Sequence, residues 1–242
     1  MRSPAKPARG SVASTGGSTS GGGTQSGTSG GGRPSDAVSP RTGTYRLSVS
    51  GSEHVKFGPF SACTNTFPES SQLVVQRASG EPGGSYDFDL RFYPDSPNKH
   101  DERHIYRYSS SGVVLSYEQA TVTCGGVKQS STVSYSPAQQ RVPGRLRVGA
   151  EWHNRTGDAN RTEDATFKVV GTASVTYNGR SYPTYVIDAS IDMSGDESGS
   201  RDQRWWYSPD LGMPLRWHES LSGQRSGATY SEDVTVSVVS GP

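Results

Sequence analysis

The residue types with most chemical potential sit together in His100-Asp101-Glu102-Arg103-His104. Two imidazoles four positions apart would chelate zinc if the segment were helical, because positions i and i+4 share a helix face. The residue after the first histidine is Asp, not the Glu that acts as base in zinc hydrolases, and the surroundings read as a loop running into a strand. A solvated charged loop is therefore expected. Asp188, Asp192, Asp196 and Glu197 raise calcium, which takes about six to eight oxygen ligands. Alternation puts Asp188 and Asp192 on the wet face of a strand, and Asp196 and Glu197 in a turn. No metal set is expected. His153 beside Trp152 and Glu151, and His218 beside Trp217 and Glu219, are candidates for proton transfer, but nothing near them in sequence resembles a nucleophile. The G-x-S-x-G pattern at Gly27–Gly31 lies where no strand-to-helix turn could strain it. No Walker A sequence, dinucleotide glycine fingerprint or EF-hand loop is present. The reading is a protein without catalytic constellation or cofactor, and not an enzyme.

Binding residues are sought instead in Arg204–Trp217, which holds three of the four tryptophans around a Pro-x-x-Gly turn. Read as a hairpin with Ser208–Gly212 as its loop, it pairs Tyr207 with Met213, Trp205 with Leu215, and Arg204 with Arg216. Trp205, Tyr207, Met213 and Leu215 then share a core face, and Arg204, Trp206 and Arg216 share the other. Two arginines directly opposite repel. Three resolutions are open: a register slip of one residue, an intervening acid, or an anionic ligand with Trp206 stacked on a guanidinium. Arg204, Trp206 and Arg216 are the candidate ligand contacts. Cys63 and Cys124 are too few for a zinc site and too far apart for a CxxC motif. They are either two buried thiols or one disulfide, and export would favour the disulfide.

The elements that must position these residues are strands. Gly10–Gly32 is almost entirely Gly, Ser and Thr and cannot bury enough surface to offset its ordering entropy. Residues 1–43 are expected to be a disordered linker, and 44–240 a single domain. The linker carries Arg2, Lys6, Arg9, Arg33 and Arg41 against Asp36. The remainder keeps 19 of the 24 basic and 22 of the 23 acidic residues, with no basic stripe and hence no nucleic-acid footprint. Past it, period-2 alternation recurs: Tyr45/Leu47/Val49, Tyr86/Phe88/Leu90/Phe92, Phe167/Val169, Ile187/Ala189/Ile191, Val234/Val236/Val238. No amphipathic helix appears. Leu146, Val148, Ala150 and Trp152 are expected to face inward, Asn154–Asp164 to form an exposed loop carrying two glycosylation sequons, and Asn178-Gly179 to turn a hairpin. Ten to twelve short strands joined by tight turns predict an all-β antiparallel meander, closed or half-closed into a barrel, with a two-sheet sandwich as the alternative.

No apolar run reaches the length of a membrane span, and no signal-peptide core is visible. A Gly/Ser/Thr stalk ahead of a two-cysteine β domain nonetheless has the make-up of an exported ectodomain, so a signal or membrane anchor upstream is expected. Trp206-Tyr207-Ser208-Pro209-Asp210-Leu211-Gly212-Met213-Pro214-Leu215-Arg216 resembles a segment of uncharacterised β-rich exported bacterial proteins. Leu146–Trp152 and Tyr177–Tyr182 carry companion pieces, so that the likeness covers about residues 140–240. Such domains are similar in fold to LolA/LolB-type lipoprotein carriers, open half-barrels that hold acyl chains. This chain lacks their lid helices and lipobox cysteine. The resemblance implies an extracellular or cell-envelope protein. The expected function is a non-enzymatic binding or structural module on a flexible stalk, touching an envelope component. A half-barrel carrier of lipid is the alternative.

Overall fold

The computed structural model describes residues 37–59, 61–68, 70–93 and 98–242. The expected linker lies outside the described residues as far as residue 36, together with the Arg2/Lys6/Arg9 cluster, the G-x-S-x-G sequence and Pro94–Pro97. Residues 37–42 lie against the domain: the Ala37 N–H donates to the Ser109 carbonyl (3.2 Å), and the Tyr45 hydroxyl to the Arg41 carbonyl (2.7 Å).

The chain is all β. Its strands are β1 (Gly43–Phe57), β2 (Ser61–Thr66), β3 (Gln72–Arg77), β4 (Ser85–Arg91), β5 (Lys99–Ser109), β6 (Gly112–Cys124), β7 (Val127–Pro143), β8 (Glu151–Gly157), β9 (Arg161–Tyr177), β10 (Arg180–Gly195), β11 (Glu197–Ser208), β12 (Met213–Arg225) and β13 (Ala228–Ser240). They form one antiparallel sheet in the order β7-β6-β5-β4-β3-β1-β13-β12-β11-β10-β9-β8, with β2 paired to β1 off this path. The meander curls until its first and last strands, β1 and β13, pair from Arg46↔Ser240 to Phe57↔Ala228. The barrel is thus nearly closed, with a single seam in mid-chain between β7 and β8. Asn178 (φ 49°) and Gly179 (φ 72°) make the expected hairpin turn between β9 and β10, because a two-residue loop matching strand twist needs φ > 0 at both positions.

Side chains close the seam where the backbone ladder stops. The Asn154 amide imitates a peptide group, accepting from the Gln140 N–H (3.1 Å) and donating to its carbonyl (3.1 Å). The Trp152 indole donates to the same carbonyl (2.9 Å), and the Thr156 hydroxyl to that of Pro137. This corrects the exposed loop expected at 154–164. Those residues end β8 and begin β9, Thr156 and Arg161 are buried, and the Asn154 sequon is engaged in the seam. Val148, expected inside, is 58% exposed, because Gly149 (φ 83°) turns the chain just before β8 starts.

A second irregularity lies beside β1. β3 pairs with β1 only over Gly43–Arg46, and the β4–β5 ladder ends at Arg91↔Asp101. Beyond that point β2 takes over the free edge of β1, from Ser52↔Thr66 to Phe57↔Ser61. The Cys63–Cys124 disulfide (Cα–Cα 5.9 Å) fastens β2 to the end of β6.

Outward positions are polar, as in Arg46/Ser48/Ser50/Ser52 of β1 and Ser198/Ser200/Asp202/Arg204 of β11, where a barrel in lipid needs an apolar band. No helix of the described residues is long and apolar enough to cross a membrane. Inside, one half of the lumen is apolar and filled. Leu47, Leu73, Phe167, Ile187, Met213 and Leu215 are fully buried, each contributing about 1.5–3 kcal/mol by leaving water. Trp152 stacks on Phe167 (ring centroids 5.4 Å) and Trp205 tilts against it (5.8 Å).

Asn154→Ala removes both of its seam bonds and leaves the half-buried Gln140 N–H without its partner, the carbonyl keeping only the Trp152 indole. It is expected to destabilise the fold by about 1–3 kcal/mol and to lower amide-exchange protection in β7 and β8 before the other strands. Hydrogen exchange read by NMR or mass spectrometry checks both.

Candidate functional site

The other half of the lumen is charged. Strand alternation that puts Phe167 and Val169 inside also puts Arg161 and Glu163 inside, three and two positions of the same phase before Phe167 on β9. On β11, Trp205 and Tyr207 share their face with Gln203, Arg201 and Glu197, and on β13 Val234–Val238 share theirs with Glu232. A barrel offers these groups no route to water through its wall, so they must satisfy one another.

Glu118 of β6 is the centre of that arrangement. It accepts from Arg161 (Nη2, 2.7 Å) and from both terminal nitrogens of Arg201 (3.1 and 3.2 Å). Arg161 reaches on to Glu163 (2.9 Å) and Glu197 (3.0 Å), and Arg201 Nε to Glu219 (3.3 Å). The Tyr135 hydroxyl and the Gln139 amide donate to the two oxygens of Glu163, each at 2.9 Å. Burial disfavours the Glu118 charge, but Arg201, Arg161 and His104 outweigh it and hold its pKa well below the carboxylate range. Burial likewise opposes the Arg161 charge, and Glu118 with its neighbours raises its pKa despite that. Tyr230 lies over Gly223, where a Cβ would meet its hydroxyl oxygen at 2.4 Å. That close approach lets the hydroxyl donate to Glu197 (2.6 Å).

Next to this network, at the gap between β1 and β5, His100 sits among three carboxylates. Its Nδ1 lies 2.7 Å from Glu53 and 3.9 Å from Glu232, and its Nε2 lies 3.2 Å from Glu102. Asn65 of β2 donates to the remaining oxygen of Glu53 (2.9 Å). Phe92 and Phe67 cover the imidazole with ring centroids at 5.0 and 6.0 Å. Burial opposes protonation of His100, yet its bonds to Glu102 and Glu53 raise its pKa well above the usual value. Glu232 goes the other way. Burial and the nearby charges of Glu219 and Glu102 push its pKa well above that of an ordinary carboxyl.

Two cavities of about 90 Å³ each open from the lumen. One lies under the apolar half against Phe88, Tyr106, Trp205 and Trp217, with Glu102, His104 and Arg201 on its charged side. The other is the charged mouth, bounded by Glu53, His100, Glu118, Arg161, Glu197 and Glu232 among others.

The sequence placed the site elsewhere. Arg204, Trp206 and Arg216 are on the outer wall, and a bulge between Trp206 and Tyr207 shifts the hairpin so that Trp206 pairs with Arg216 and Arg204 with His218. The facing arginines are thereby separated. Arg204 also binds Asp188 through Nε (2.6 Å) and Nη2 (2.7 Å), and Arg216 stacks over the Trp206 ring (4.8 Å). The proposed pairing of Trp205 with Leu215 is corrected to Trp205↔Trp217. His153 is exposed beside Asp164, and His218 bonds Thr235 on the outer face (3.2 Å). The solvated loop expected at 100–104 is corrected too. It is the start of β5, and at a period of two His100, Glu102 and His104 share the inner face. Glu197, expected in a turn, begins β11 and is buried. Helix spacing was the wrong template for the histidines. The readable signal was an acid or base interrupting an apolar alternation: Glu53 in phase with Tyr45–Val49, Glu232 with Val234–Val238.

Glu118 and Glu197 are held below their unfolded value of 4.5. The stability they contribute is therefore present above pH 4.5 and lost as pH falls through and below it. Glu118→Gln is expected to cost about 3–5 kcal/mol at neutral pH, since it removes the carboxylate that two buried guanidinium groups share. It should also flatten the acid-side decline in melting temperature. Thermal unfolding followed by circular dichroism across the acid range measures both.

No protein-family model, no curated protein and no solved structure matches this chain.

Proposed function

We propose that this protein is a non-enzymatic binding module of the cell envelope or the extracellular space, which uses its outer wall and its charged mouth and does not carry lipid. The observation that carries this reading is the state of the lumen. Its apolar half is filled by the protein's own side chains, and its other half is a lattice of ionised groups that an acyl chain would have to desolvate. Pockets for ligands of ordinary size hold about 300–1,000 Å³, against about 90 Å³ in each lumen cavity. The disulfide belongs to an oxidising compartment, and the polar outer strands suit water. Trp206 and Arg216 supply the outer contact: an aromatic plate with a guanidinium over it, suited to an anionic envelope polymer. Arg204 is committed to Asp188 and orients the patch.

The second reading is a carrier of a hydrophobic ligand, in keeping with the likeness to LolA/LolB-type carriers. It is favoured by the aromatic lining of the cavity under Trp205 and Trp217.

Two measurements separate the readings. Native mass spectrometry of the full chain from a bacterial host is expected to show no lipid adduct, and a stoichiometric lipid adduct would reverse the choice. In co-sedimentation with isolated bacterial cell-wall fractions, the full chain is expected to be retained, and Arg216→Ala to reduce retention several-fold with an unchanged melting temperature. Equal retention of the two would remove the outer patch from the function.

A further inference from the structure

We propose that Glu53, His100 and Glu232 are the three protein ligands of a divalent transition-metal site of the zinc type, whose fourth position opens to the charged mouth of the barrel. The inference is independent of the envelope-binding reading, since failure to bind metal would leave retention on cell-wall material unaffected.

The geometry comes first. One ligand atom from each residue lies within 4.8 Å of the others, and all three side chains are buried. Four ligands at zinc distances of about 2.1 Å stand about 3.4 Å apart in a tetrahedron. His100 Nδ1 is 2.7 Å from Glu53 and 3.9 Å from Glu232. Shifts of about an ångström in two flexible glutamates therefore bring the three atoms to that spacing. One imidazole and two carboxylates suit zinc, or manganese and iron in the divalent state.

The surroundings have the form of a metal site. The far nitrogen of His100 faces Glu102 (3.2 Å), the carboxylate–histidine arrangement that fixes ring orientation and directs the other nitrogen to a metal. Asn65 holds the outer oxygen of Glu53 at 2.9 Å and leaves its partner oxygen for coordination. An independent observation points the same way. Tyr93 is 7% exposed, and its hydroxyl lies against Glu53 and Glu232 without a well-formed hydrogen bond to either. A buried hydroxyl turned towards two carboxylates in this way is placed to bond a ligand oxygen or a metal-bound water. Charge agrees. Two ionised glutamates and a neutral imidazole balance one divalent ion.

Binding exchanges protons for metal without redox change. The ion takes the Nδ1 lone pair of His100 and one oxygen each from Glu53 and Glu232, and protons held by these groups leave to solvent.

The test uses the full chain, stripped with a chelator and titrated with Zn²⁺ or Co²⁺ alone. About one equivalent is expected to survive gel filtration, with Co²⁺ giving the strong visible absorption of a four-coordinate ion. Zn²⁺ should shift the His100 imidazole nitrogens and leave those of His54 in place. Glu102→Gln should weaken binding about 10- to 100-fold, Glu232→Gln more than that, and Glu151→Gln, on the exposed face of β8, not at all. A wild-type chain that retains no equivalent overturns the proposal, and that result needs no variant to fold. Undiminished affinity in both Glu53→Gln and Glu232→Gln overturns it equally.

Discussion

The hold of Arg161 and Arg201 on Glu118 is the interaction on which the rest of this barrel depends. Charges facing the inside of a closed sheet cannot turn back to solvent, and an isolated buried ion costs several kcal/mol even after relaxation. Three strands far apart in sequence, β6, β9 and β11, each deliver one member of the triad, so the network forms only when the meander has curled to its final radius. The distances of 2.7–3.2 Å around Glu118 thus set the barrel's diameter at that end, as packing of Phe167 against Trp152 and Trp205 sets it at the other.

The two breaks in the wall follow from the same requirement. At the seam the β7 and β8 backbones do not pair, and Asn154, Trp152 and Thr156 replace the missing ladder with side-chain bonds to main-chain groups. At the β1–β5 gap, β3 and β4 end early, β2 patches the edge of β1, and the disulfide fixes the patch to β6. The second break is the more consequential. It brings Glu53, His100 and Glu232 from three strands into one buried group, beside a mouth that ligand or solvent can reach. Glu53 and Glu232 are direct neighbours across the β1–β13 ladder, and the gap is where His100 of β5 meets them. The functional proposals accordingly divide the molecule: contact on the polar outer wall, cation chemistry inside the gap, and an apolar half that is structural.

Alternation in sequence was enough for the all-β class, for most strands, for the Asn178-Gly179 turn and for the inward faces of Tyr45–Val49 and Val234–Val238. A period of two is a local property of an extended chain, so these were legible. The two cysteines were legible as a choice between thiols and a bridge, and the tertiary fold made the choice by bringing Cys63 and Cys124 together from β2 and β6. What the sequence could not supply was inside from outside once both faces carried polar groups. Arg161 and Glu163 look like an exposed loop, and His100–His104 like a solvated one, because charged residues are ordinarily wet. Only closure of the sheet, by pairing residue 46 with residue 240, puts them in a shared interior. The register of the tryptophan hairpin was undecided for a related reason: a one-residue bulge at the step from Trp206 to Tyr207 changes every cross-strand partner beyond it while leaving the faces as they were, and nothing local requires it. Local sequence therefore determined which residues alternate. Long-range pairing decided which side of the wall is water, since burial is a property of the closed surface and not of any single strand.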